Sequence, residues 1–96
     1  MPLTGQQYVV VYDVTEDHER TRVSKVLEGF GFRVQKSAFE CTLSRSGREK
    51  LRGRLEELDL QTGFVLLYQI QSKSRRLSVG QSPPILDFDA GAAFIV

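Results

Sequence analysis

Three consecutive valines stand between two tyrosines, and a carboxylate follows at once: Tyr8, Val9, Val10, Val11, Tyr12, Asp13. No other stretch constrains the fold as much. β-branched and aromatic side chains fit a pleated, buried surface, so residues 7–14 are expected to form a strand. Side chains alternate along a strand. Val9, Val11 and Asp13 therefore share one face, and Tyr8, Val10, Tyr12 and Val14 share the other. Asp13 comes where the strand runs out, on the parity of two valines. Bare burial of a carboxylate is too costly, so Asp13 must be paired, hydrated or bound to a cation.

The periodicity then changes. Thr15, Glu16 and Asp17 signal a helix start, with capping residues and acidic groups near the positive end of the dipole. Val23, Val26, Leu27 and Phe30 fall on one helical stripe, with Arg20, Arg22 and Lys25 off it. Gly29 and Gly31 close the helix, with Gly31 favoured as its C-terminal cap. The segment Phe32–Leu43 is expected to be extended, with Val34 and Ala38 on one face. Its other face, Arg33, Gln35, Ser37, Phe39 and Cys41, is partly polar and would be solvated or meet a partner. Ser46 and Glu49 match a capping box. Leu51, Leu55 and Leu58 continue as a helical stripe, opposite a basic side of Arg45, Arg48, Lys50, Arg52 and Arg54. Gln61, Thr62 and Gly63 make a turn. Phe64–Ile70 is almost uniformly apolar, as an interior strand is. Residues 76–79 are expected to form a short further strand. Pro83 and Pro84 interrupt regular structure, and the apolar end Ala93–Val96 is expected to pair with a sheet rather than remain a bare edge.

This order, β-α-β-β-α-β with a final β piece, is an α+β, ferredoxin-like arrangement: an antiparallel sheet with both helices on one face. Its other face is left uncovered and could hold a dimer together. The 96 residues make one domain, with 1–6 a loose tail and 81–96 a C-terminal extension. A chain this short has a limited core, which oligomerisation commonly enlarges.

Charge and composition exclude several classes. The net charge of +1, from 13 basic and 12 acidic residues, rules out a polycation that coats nucleic acid indiscriminately, though not a local basic patch. The single cysteine, Cys41, permits no intrachain disulfide, and with one histidine it cannot build a zinc site in one chain. The opening residues do not resemble a secretory signal. No apolar run approaches the ~20 residues that cross a bilayer. A cytoplasmic protein without a membrane association is expected.

No phosphate loop, HExxH pair or nucleophile elbow is present. His18 is expected to be exposed and Cys41 packed. Asp13 has two readings. It is a strand-end carboxylate that caps the turn or pairs with Arg20 or Arg22, or it is a divalent-metal ligand. Mg²⁺ commonly takes one or two carboxylates and keeps several waters. One aspartate per chain is thin for this, but a two-fold dimer would bring two copies to the axis. A hydrated ion there could activate water against a phosphodiester. The basic faces of both helices are either solvated surface or phosphate contacts. Tyr12 and Phe39 suit a core or interface better than a base-stacking platform.

The stretch from Tyr8 to Leu43 resembles the amino-terminal half of the CRISPR-associated endoribonuclease family, small ferredoxin-like proteins of the spacer-acquisition module in antiviral defence. The matching features are an apolar strand ending in Tyr12-Asp13, the Thr15-x-Asp17 turn, the Arg20-x-Arg22 helix and the Arg33-x-Gln35-x-Ser37-x-Phe39 strand. A helix rich in Arg and Leu follows. The resemblance covers residues 7–80, and Ala93–Val96 is similar to the last strand of the family, which crosses to the other subunit. Lys36 departs from the family, where an aromatic is frequent. The resemblance implies a homodimer in which the two Asp13 carboxylates share one Mg²⁺. It implies metal-dependent cleavage of single-stranded RNA or, in some members, duplex DNA. It places Tyr12, Asp13, Arg20, Arg22, Arg33, Ser37 and Phe39 at positions that matter for catalysis, and it implies an integrase partner.

Two functions follow from these residues. One is a Mg²⁺-dependent endonuclease with Asp13 as the shared ligand and arginines on the phosphate chain. The other is a non-catalytic dimeric scaffold that grips duplex DNA through Arg45, Arg48 and Arg52 and presents it to the integrase.

Overall fold

The structure is a computed structural model and describes residues 5–71 and 76–81. Six elements follow in order: β1 (Gln6–Val14), α1 (Asp17–Glu28), β2 (Gly31–Gln35), β3 (Ala38–Leu43), α2 (Arg45–Glu57) and β4 (Gly63–Ile70). They build one antiparallel sheet in the order β2-β3-β1-β4, the expected ferredoxin-like topology. β1 already begins at Gln6, the last residue of the expected tail, and residues 1–4 lie outside the described residues.

The parity of β1 sets which side is core. Tyr8, Val10, Tyr12 and Val14 are buried, together with Val23 and Leu27 from α1, Phe30 just after it, and Leu51 and Leu55 from α2. Cross-strand neighbours share a face, so the register of Tyr8 with Cys41 and Val10 with Phe39 puts both β3 residues in that core. The segment 32–43 is thus a hairpin rather than one strand. It turns at Lys36 and Ser37, where the Gln35 side chain accepts from the Ser37 N–H at 2.5 Å. A register shift between Arg33 and Gln35 adds a bulge. Arg33 pairs with Phe39 and Gly31 with Cys41, so Arg33, Phe39 and Cys41 keep a common face, and that face is the one the helices cover. Ala38 comes to lie opposite Val11, while Phe39 and Cys41 are core residues and not members of a solvated face.

The caps differ in detail. α1 is capped by Glu16, whose carboxylate accepts from the His18 and Glu19 N–H groups at 3.0 and 2.9 Å. α2 starts two residues before the expected box: the Ser44 hydroxyl accepts from Gly47 N–H at 3.0 Å, and Ser46 is already helical. Glu49 accepts instead from Arg48. α1 ends at Gly29 in a right-handed conformation, so Gly31 is not its cap. Gly31 opens β2, where a Cβ would sit 2.2 Å from the Glu40 carbonyl oxygen and 2.6 Å from Cys41 Sγ. Close strand approach, not a helix end, requires glycine there.

β4 is an edge strand, contrary to its interior-like composition. Val65 and Leu67 pack against the core, whereas Phe64, Leu66 and Tyr68 are 49%, 42% and 56% exposed on the opposite face. Uniform apolarity here marks a strand whose outward face is apolar as well. Residues 76–79 are not a strand: Leu77 and Val79 are almost fully exposed, and Arg76 lies 4.0 Å from Glu40. The crossing strand at Ala93–Val96 and the Pro83-Pro84 break lie outside the described residues.

Candidate functional site

Asp13 is exposed at the end of β1. Pairing places it opposite Phe64, with Val11 opposite Leu66 and Val9 opposite Tyr68, so its carboxylate belongs to the helix-free face beside exposed apolar side chains. It has no hydrogen bond or ion pair among the described residues. The expected alternative, a pair with Arg20 or Arg22, is not formed. Arg20 pairs with Asp17 and donates to the carbonyls of Val14 and Thr15 at 3.2 and 3.1 Å. It therefore ties the first turn of α1 to the strand end rather than neutralising Asp13. Arg22 is exposed on α1.

The other expected catalytic residues lie across the sheet. Tyr12, Arg20, Arg33 and Ser37 line a 630 Å³ cleft between α1 and the β2–β3 turn, joined by Lys25 and Lys36. The cleft is well braced. The Tyr12 hydroxyl donates to the Lys36 carbonyl at 2.9 Å, and Tyr12 N–H donates to the Ser37 carbonyl at 3.0 Å. Arg33 donates to the Lys36 carbonyl at 3.0 Å and to Ser24 Oγ at 2.6 Å. Its guanidinium also sits 5.2 Å above the Phe39 ring, a cation–π distance. Phe39 itself has no exposed surface and packs 6.4 Å from the Tyr12 ring. It supports Arg33 from beneath and is not a platform for a base. The structure thus divides the expected catalytic set: Asp13 on the open face, Tyr12, Arg20, Arg33 and Ser37 around the cleft, Phe39 below it and Arg22 outside.

Arg45, Arg48 and Arg52 are together on α2, around its first turns. Glu49 and Glu56 offset part of that charge: Arg48 is 3.1 Å from Glu49, and Arg52 is 4.0 and 3.8 Å from Glu49 and Glu56. Hydrogen bonding to Tyr8, and then to Glu49, raises the Arg48 pKa above its ordinary value. Cys41 is buried, and loss of hydration pushes its thiol up to about 12, which fits packing and not nucleophilic chemistry.

One residue was missed in the sequence. Glu19 is buried on α1, and its carboxylate accepts from Gln61 and Thr62 across the fold. The hydroxyl and backbone N–H donors of these residues lower its pKa. Nothing local signals this, because its partners are far away in the chain.

Comparison with known proteins decides the family. The sequence profile described as CRISPR associated protein Cas2 matches residues 6–77. The chain belongs to the Cas2 family. A Thermus thermophilus relative named as a CRISPR-associated endonuclease is 35% identical over 79 residues, covering 81% of this chain and 88% of its own length. A Mycobacterium tuberculosis relative named as a CRISPR-associated endoribonuclease is 35% identical over 68 residues, 70% of this chain. A Synechocystis relative with that name is 47% identical over 51 residues, 53% of this chain. The chain spans 60% of the Mycobacterium relative's length and 55% of the Synechocystis one. Among solved structures, a hypothetical protein from Thermus thermophilus superposes with a TM-score of 0.72 at 32% identity, covering 83% of this chain and 96% of its own. Another, described as Cas2, gives 0.72 at 28% identity, covering 86% and 95%.

Among the described residues of this Cas2 chain, no three Asp, Glu, His or Cys side chains gather as a metal site. Asp13 is an exposed hard oxygen donor with no hydrogen bond or ion pair among the described residues. It fits Mg²⁺ as one of two carboxylates around a largely hydrated ion. Also among the described residues, no helix is long and apolar enough to cross a membrane.

Proposed function

We propose that this chain is a divalent-metal-dependent endonuclease acting as a homodimer in CRISPR spacer acquisition, in the cytoplasm and alongside the integrase. The observation that carries this reading is the position of Asp13. A carboxylate with no hydrogen bond or ion pair among the described residues ends β1, an interior strand, at the margin of an apolar sheet face. Apolar β4 side chains on that face favour cover by a second copy. A two-fold axis through this face would set two Asp13 carboxylates against each other. A Mg²⁺ ion held between them would supply Lewis-acid activation of water and stabilise the displaced oxygen. The chain's own part is to hold the carboxylates in place and the nucleic acid against them. The cleft arginines, Arg20 and Arg33, offer guanidinium forks to backbone phosphates. The endonuclease and endoribonuclease names of the relatives support the same reaction class.

Single-stranded RNA is the first substrate and duplex DNA the second. Asp13→Asn keeps the size and removes the charge. We expect it to abolish Mg²⁺-dependent cleavage of both while light scattering still reports a dimer. Undiminished cleavage by a contaminant-free Asp13→Asn preparation would sink the proposal. The scaffold reading gains nothing from the structure, since acidic neighbours offset Arg48 and Arg52.

A further inference from the structure

We propose that Glu19 is a positioning residue for Asp13, acting through Thr62 and the β1–β4 pairing; this rests on the endonuclease reading above. Glu19 is 4% exposed in the first turn of α1. Its Oε2 accepts from Gln61 N–H at 2.7 Å, and its Oε1 accepts from Thr62 N–H at 3.0 Å and from the Thr62 hydroxyl at 2.5 Å. Thr62 passes the constraint on. Its Oγ1 accepts from Glu16 N–H at 3.2 Å, and its carbonyl accepts from Thr15 N–H at 3.2 Å. The next two residues enter β4, with Gly63 opposite Val14 and Phe64 opposite Asp13.

Two neighbouring side chains of α1 thus hold the strand end. Arg20 grips the Val14 and Thr15 carbonyls directly, and Glu19 grips the loop that feeds the partner strand. The Asp13 carboxylate has no hydrogen bond or ion pair of its own among the described residues, so its position is set by the pairing of β1 with β4. A buried carboxylate is an expensive way to anchor a helix, and apolar packing could serve stability as well. What the carboxylate adds is direction: three donors converge on it, and all three belong to the loop entering β4. Two carboxylates sharing an ion across a two-fold axis double any displacement of either. A shift of about 1 Å at a reacting centre can cost about a hundredfold in rate.

The test uses the full-length dimer with Glu19→Gln and, separately, Thr62→Val. Glutamine keeps the size but turns an NH₂ towards donors. Valine removes only the Thr62 hydroxyl. Three quantities are measured at a temperature where circular dichroism shows each protein folded: kcat and KM on single-stranded RNA, and Mn²⁺ binding from the loss of its free-ion electron paramagnetic resonance signal. We expect kcat to fall about tenfold or more, Mn²⁺ to bind about fivefold more weakly, and KM to stay within about twofold. Thr62→Val decides the matter if Glu19→Gln does not fold. The proposal is overturned if folded Thr62→Val keeps both kcat and Mn²⁺ affinity within about twofold of wild type, or if its losses merely track the unfolded fraction. Asp13→Asn separates the two levels. If it still binds Mn²⁺ and cleaves, the endonuclease reading falls and takes this proposal with it. If it is inactive while Thr62→Val is unimpaired, only the role of Glu19 falls.

Discussion

Gly63→Ala should disrupt the end of β1 more than any other single methyl group added to a described glycine. Gly63 has φ +123°, a conformation that side chains rarely adopt. An alanine Cβ there would lie 1.9 Å from the Asp13 carbonyl oxygen, 2.9 Å from its carbon and 3.0 Å from Val14 Cα. Ordinary contact begins at 3.4 Å, so the two strands must separate by about 1.5 Å. A ladder hydrogen bond does not survive such a stretch, and each one lost costs about 1 kcal/mol. Backbone strain adds about 1–2 kcal/mol. With about two such bonds lost between β1 and β4, the total is about 3–4 kcal/mol, a large fraction of the ~5–15 kcal/mol that holds a domain folded. At ~4–8 °C per kcal/mol for a domain of this size, Tm should drop by at least about 12 °C. Urea titration and calorimetry at one fixed protein concentration would measure it, because the stability of the proposed dimer would depend on concentration. Gly53→Ala is the control. Nothing lies within 4 Å of its Cβ, and the change should stabilise α2 by up to about 1 kcal/mol. A Gly63→Ala protein within about 1 kcal/mol of wild type would refute the view that close β1–β4 approach needs glycine here.

Other outcomes follow from the buried and capping groups. Glu16 and Glu19 both titrate below their ordinary range, chiefly through hydrogen bonds to His18 N–H and to Thr62 respectively. A lowered folded-state pKa stabilises the protein above the unfolded value, and that contribution is lost as pH falls through the folded value. Stability should therefore decline below the ordinary carboxylate range of about 4.5, and Glu19→Gln should flatten the decline; an unchanged acid limb in that variant would contradict the Glu19 contacts. Cys41, buried and raised to about 12, should resist alkylation in the native protein at pH 8 and react only on unfolding; prompt native labelling would show the β3 core to be open.

Local rules account for much of this fold. A run of β-branched and aromatic residues is enough to place β1, and strict alternation puts Asp13 on the face opposite Tyr12. The stripes Val23, Leu27, Phe30 and Leu51, Leu55 follow from helical period alone. These features depend on neighbours within a turn or two of chain, so they are legible residue by residue. The hairpin at Lys36 and Ser37 carries no Gly, Pro or Asn to announce it, and its turn is closed by a Gln35 side chain and by bonds to Tyr12. The polar Arg33, Gln35 and Ser37 share the sequence parity of Phe39 and Cys41 and make a core face read as a solvated one; only the pairing of β3 with β1 shows that the helices cover it. β4 reads as interior because both of its faces are apolar, yet only sheet order reveals an edge strand with exposed Phe64, Leu66 and Tyr68. Glu19 looks like one more acid in a helical first turn until the fold brings Thr62 to it. The sequence by itself determined which residues could carry chemistry, because side-chain type and parity are local properties. Tertiary structure alone decided how they divide, with Asp13 on the open face and the arginine cleft behind the sheet, because that depends on strand pairing between residues distant in the chain.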